Sequence, residues 1–233
     1  MRFLKSALIA SIVATAGLSL APARAAVIGS IPGGANNDFI NTFFASGTKI
    51  EGWYNANLYL TGPAAVTVEY FGAEAGFVNK FVYDGCSFTH GGGETFNNNG
   101  AAALNGADAL ASCNAGGQPV GLMDFLFLIN NGLPGPVNGS NPSDQTTTLA
   151  NFFVAFDNNY ALDTNVNGST SGGGRSVFLF LDDGGGGNDD NHDDMVIRLS
   201  VSNGTFSVPE PISLGLLGFA LIGLGALRRK TAA

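Results

Sequence analysis

The sequence predicts a mainly β chain: an antiparallel β-sandwich, jelly-roll-like, set between an N-terminal signal helix and a C-terminal transmembrane helix. Three observations predict it. Short apolar runs rich in Phe and Val recur through the middle of the chain. Clusters of Gly, Asn, Pro and Ser separate them, and these residues break helices and fill turns. Each end carries a longer apolar stretch flanked by basic residues.

The N-terminal stretch reads as a secretory signal. Arg2 and Lys5 supply the charged region, Leu8 to Leu20 is mostly apolar, and Ala23-Arg24-Ala25 places small residues where a signal peptidase reads them. Cleavage is expected before Ala26, so residues 1–25 drop out of the fold. Residues 26–207, about 182 in number, suit one exported domain.

Along that domain, Trp53, Tyr54 and Tyr59 are clustered aromatics that read either as core or as a sugar-binding platform. Ala65–Phe71 places Val66, Val68 and Tyr70 on one face, and Phe77–Tyr83 follows a glycine-containing turn, which predicts a hairpin between the two. Cys86 and Cys113 are the two cysteines, and export puts them in an oxidising compartment. A bridge between them would staple a segment poor in core formers. The alternative is a metal or nucleophile site shared with His90. Gly100–Ser112 has helix-like composition, weakened by its glycines. Leu122–Ile129, Phe152–Phe156 and Val177–Leu181 read as strands buried on both faces. Leu133–Thr148 reads as a long exposed loop. Met195–Val201 alternates, which predicts Ile197, Leu199 and Val201 inward and Arg198 and Ser200 outward. With no repeat of 20–50 residues, a solenoid or propeller is disfavoured.

Without its two ends the domain keeps only Lys49, Lys80, Arg175 and Arg198 against about 17 carboxylates, a net charge near −13. That balance excludes nucleic acid as a partner and disfavours anionic lipid. Divalent cations and neutral sugars remain compatible. Catalytic signatures are missing: Gly168–Gly172 reads GSTSG, with Thr where a nucleophile elbow needs serine, and no H-E-x-x-H or Walker lysine occurs. The expectation is a chain that is not an enzyme.

The stretch Leu181–Met195, LDDGGGGNDDNHDDM, gathers six aspartates and two asparagines within 13 residues. Like charges this close need hydration or a cation. Ca²⁺ accepts six to eight oxygen ligands in irregular geometry, and the glycine run lets the chain fold back cheaply. Asp182, Asp183, Asp189, Asn191, Asp193 and Asp194 are the candidate calcium ligands. The spacing is not that of an EF-hand, since Asp194 stands where glycine is required and Ser200 where the bidentate Glu belongs. The competing reading is a solvated acidic turn.

Residues 208–233 divide into three parts. Val208-Pro209-Glu210-Pro211 resists helix, because neither proline can donate a hydrogen bond and each disfavours helix in the residue before it. Ile212–Leu227 is an apolar span of about 24 Å. Arg228, Arg229 and Lys230 follow as a basic stop that stays cytoplasmic, in a tail of residues 228–233, so the bulk of the chain lies outside. This order of motif, span and basic tail resembles the PEP-CTERM sorting signal of Gram-negative bacteria. The resemblance implies processing by an exosortase at the inner membrane and a host that makes exopolysaccharide. It also implies a route across the inner membrane, through a transient anchor, to the cell surface or extracellular matrix. The expected function is a non-enzymatic surface or exopolysaccharide-matrix protein. The alternatives are a calcium-dependent carbohydrate-binding module and a polysaccharide-active enzyme.

Overall fold

A computed structural model describes residues 26–31, 50–96, 109–142, 149–157, 172–184 and 192–209. In chain order they form β1 (Val27–Ile31), β2 (Ile50–Tyr54), β3 (Tyr59–Leu60), β4 (Ala64–Ala75), β5 (Lys80–Tyr83), β6 (Cys86–Thr89), β7 (Gly93–Phe96) and β8 (Ala111–Gln118). There follow β9 (Gly121–Leu122), β10 (Phe125–Ile129), β11 (Leu133–Val137), β12 (Asn151–Asp157), β13 (Gly172–Gly174), β14 (Ser176–Asp182), β15 (Met195–Val201) and β16 (Phe206–Val208). The chain is mainly β and antiparallel, consistent with a β-sandwich. The residues of the expected signal helix, the expected span Ile212–Leu227 and the basic stop lie outside the described residues. Among those described, no helix is long and apolar enough to cross a membrane.

The largest sheet runs β1-β2-β12-β14-β15-β4-β7, with β8 also paired to β4. Its middle is built from uninterrupted apolar runs. All seven residues of β12 and all seven of β14 are buried, as continuous hydrophobic strands require when both faces are covered. On one face Phe152, Val154, Phe156, Val177, Leu179, Ile197 and Leu199 join the main core. On the other, Phe153, Ala155, Phe178, Phe180 and Val196 form a second cluster with Phe71 and Tyr54. The period of two explains the division.

A four-stranded sheet, β11-β10-β5-β6, contributes to the main core. Its Phe125 and Phe127 meet Phe152 at ring-centroid distances of 5.4 and 5.8 Å. Cys86 of β6 and Cys113 of β8 form a disulfide, Cα to Cα 5.8 Å, which joins this sheet to the large one. The bridge closes 27 residues of chain and stabilises by about 3–4 kcal/mol in the chain-entropy model. A second four-stranded sheet, β13-β16-β3-β9, carries the last described strand.

Five sequence expectations are corrected. The strand Phe77–Tyr83 begins at Lys80 and makes no hairpin with β4; it pairs with β6 and β10. Leu122–Ile129 divides into β9 and β10, which belong to different sheets. Ala111 and Ser112 sit in strand β8, while residues 101–108 of the helix-like stretch are outside the described residues. The first part of the supposed loop Leu133–Thr148 is strand β11, followed by buried Asn138 and Asn141; residues 143–148 are outside the description. Arg198, expected to face solvent, is buried in the second cluster's face because that face is covered as well.

Candidate functional site

Strands β14 and β15 end at the acidic stretch and hold its two sides together. Their register pairs Leu181 with Met195, and the Asp194 amide donates to the Leu181 carbonyl at 3.1 Å. Asp182 and Asp183 therefore face Asp193 and Asp194 across the base of the loop. The Asp183 amide donates to Asp194 Oδ2 at 2.7 Å, and the Gly184 amide donates to Asp182 Oδ1 at 2.9 Å. Asp182 and Asp193 are fully buried. Burial pushes the Asp194 carboxyl well above the usual carboxylate range. The Asp183 charge adds to this, the Asp183 amide opposes it, and the charges of Asp182 and Asp193 raise it further. The other two candidate ligands, Asp189 and Asn191, lie outside the described residues.

The neighbours of this base were not evident in the sequence. Asn79, in the connection from β4 to β5, is fully buried. Its Nδ2 donates to Asp183 Oδ2 at 2.5 Å and reaches the Asp194 carbonyl at 3.4 Å. Its main-chain carbonyl accepts from the His90 amide at 2.8 Å, which fixes the segment. The one signal was an amide side chain interrupting the apolar run Phe77–Tyr83. His192 turns the chain back with φ of 59°, a left-handed conformation uncommon outside glycine. Its ring packs 5.4 Å from Tyr54 and 6.1 Å from Phe153, and Nε2 lies 2.9 Å from Asn151 Oδ1. Among the described residues, no three His, Cys, Asp or Glu side chains form a group that could hold a metal by themselves.

The aromatic trio does not form a platform. Trp53 and Tyr54 are each 3% exposed and, as successive strand residues, enter different core clusters. Trp53 meets Phe156 edge-on at 5.6 Å, and Tyr54 donates its hydroxyl to the Ser30 carbonyl at 3.0 Å. Tyr59, half-buried, lies apart from both in β3. Cys86 and Cys113, being bridged, offer no thiolate. His90 sits buried between Tyr70 and the Ala75 carbonyl.

At the other end of the described chain, Val208 is 1% exposed and pairs with Gly172 in the β13–β16 ladder. A Cβ at Gly172 would lie 2.3 Å from the Trp53 ring, so only glycine lets β13 approach there. Val208, assigned from sequence to the sorting motif, thus closes the last strand, and the exposed Pro209 follows at once. Glu210, Pro211, Arg228, Arg229 and Lys230 are outside the described residues.

Residues 207–230 match the family model of the PEP-CTERM protein-sorting motif. No curated protein and no solved structure matches the chain. The chain carries a PEP-CTERM sorting motif, which implies export and processing by an exosortase.

Proposed function

We propose that this chain is a non-enzymatic structural protein of the cell surface or the exopolysaccharide matrix, delivered there through its sorting motif. The observation that carries the reading is the motif match at residues 207–230, which starts inside the final strand. The domain thus meets its sorting signal without a spacer. Several features of the domain support a structural role. Its disulfide suits an oxidising exterior. Both histidines are packed inside the fold, against Tyr70 and against Tyr54 and Phe153, rather than presented to a substrate. The strongly acidic surface would keep such a domain soluble and repel anionic lipid.

The test compares host cells with and without the exosortase, using an antibody to the domain. Processing predicts a smaller, relocated product in wild-type cells and a larger, membrane-retained one in the deletion. An unchanged size and location would overturn the sorting route. Release of new sugar ends from the host polymer by the purified protein would overturn the non-enzymatic part.

A further inference from the structure

We propose that the carboxylates of Asp183 and Asp194, together with the side-chain amide oxygen of Asn79, form a low-affinity Ca²⁺ site at the base of the acidic loop. Two independent observations meet there. The first is the convergence of acids described above, tied by the contact between the Asp183 amide and Asp194 Oδ2. The second is Asn79 itself. Its carboxamide is fully buried and lies against Asp183 and the Asp194 carbonyl, yet its Oδ1 has no hydrogen-bond partner. A buried amide oxygen without a protein partner is costly, and a cation seated beside it removes that cost.

The donor chemistry selects the ion. Carboxylate, amide and main-chain carbonyl oxygens suit a hard cation, and Ca²⁺ tolerates the irregular geometry of a loop base better than Mg²⁺ does. His192 is turned toward Asn151, and the cysteines are bridged, so nitrogen and sulfur ligands for a softer metal are not at hand. Because, among the described residues, no three acidic side chains make a group that could hold a metal alone, Asn79, main-chain carbonyls and water would complete the shell. A ligand set of that kind belongs to the weak extracellular class, with Kd of about 10⁻⁴–10⁻³ M. Asp182 and Asp193 lie beside the site and add to its negative field. The site is independent of the sorting reading.

The full chain, purified in detergent and stripped with EGTA, is titrated calorimetrically with CaCl₂ and separately with MgCl₂ at constant ionic strength. The proposal expects one saturable Ca²⁺ site in that range and at least about tenfold weaker Mg²⁺ binding. Asn79→Ala is expected to weaken Ca²⁺ about tenfold or more, whereas Asn79→Asp, which keeps an oxygen in place, retains binding. No saturable heat, equal affinity for the two ions, or wild-type Ca²⁺ affinity in Asn79→Ala would each overturn it. Should Asn79→Ala fail to fold, Asp183→Asn, which keeps an acceptor for the Asn79 amide and loses only charge, must show the same weakening. Wild-type affinity there would be equally fatal.

Discussion

One face of the large sheet carries acids toward both of its ends, and the two ends handle them differently. Toward one end, Arg198 lies between Glu69 and Asp157. Its Nη1 donates to Glu69 Oε2 at 2.6 Å and its Nε to Asp157 Oδ2 at 3.0 Å, with Phe178 beneath the guanidinium at 6.0 Å. At the other end, Asn151 pairs with Asp182 in the strand register, and the charges acting on Asp194 are those of Asp183, Asp182 and Asp193. Between them the face is filled by Phe153, Ala155, Phe178 and Phe180. The difference teaches where a counter-charge comes from. The first end has its cation in the chain and is complete on folding. The second, on the proposal above, offers oxygens to a cation taken from outside.

The largest effect that would break this comparison is at the complete end. Arg198→Met leaves Glu69 and Asp157 buried without their guanidinium, and removing one partner of a buried ion pair costs about 3–5 kcal/mol. Chemical denaturation of wild type and variant measures it. A loss below about 1 kcal/mol, the worth of an exposed pair, would mean that this end is not self-contained.

A smaller effect serves as a control that favours neither end. Replacing Cys86 and Cys113 by serine should lower stability by about 3–4 kcal/mol through the unfolded state. The Ca²⁺-induced rise in melting temperature should be unchanged. A variant that loses the Ca²⁺ response as well would show that the bridge, and not the acidic base, organises the site.

The smallest effect concerns two buried phenols. Burial pushes the Tyr70 phenol up to about 12. It does the same for Tyr83, helped by the charges of Asp84 and Asp124. The unfolded chain ionises these phenols near pH 10, so the stability they contribute is intact below pH 10 and falls as pH rises toward 12. The fall stays well below the unscreened limit of about 1.4 kcal/mol per pH unit for each phenol, because solvent screening near the rings reduces it. Spectrophotometric titration at 295 nm alongside unfolding measures it. Ionisation of all tyrosines at the ordinary value, with the fold intact, would contradict the burial of Tyr70 and Tyr83.

The middle of the large sheet was legible in the sequence because β12 and β14 are built on uninterrupted apolar runs, and Met195–Val201 coincides with strand β15. The alternation in β15 was also real, yet it misplaced Arg198. An alternating strand implies two environments, and the second was taken for solvent when it is another core. The order of pairing was illegible for a different reason. Proximity in sequence favours a hairpin between β4 and β5, but β5 pairs with β6 and β10 instead. The run after Leu133 looked like a loop because its Pro, Gly and Asn are turn formers. Asn138 instead ties three backbone groups: it accepts from the Leu58 amide and donates to the carbonyls of Leu58 and Met123, each at 2.8 Å. Asn79 was missed for the same reason, since a buried asparagine is defined by partners distant in the chain. The acidic side chains of the loop base were read directly, because charge density needs no fold to be seen.

The central claim is that the Asp194 end takes its counter-charge from outside, and thermal melting of wild type and Asp194→Asn in EGTA and in Ca²⁺ tests it most directly. The substitution removes one charge and keeps an oxygen for the Asp183 amide, which now accepts that bond from a neutral group. The account predicts that wild type melts higher in millimolar Ca²⁺ than in EGTA. It predicts that Asp194→Asn melts higher than wild type in EGTA and gains little from Ca²⁺, because the repulsion that a cation would relieve has gone. A variant that melts lower than wild type in EGTA and keeps the full Ca²⁺ response would contradict it.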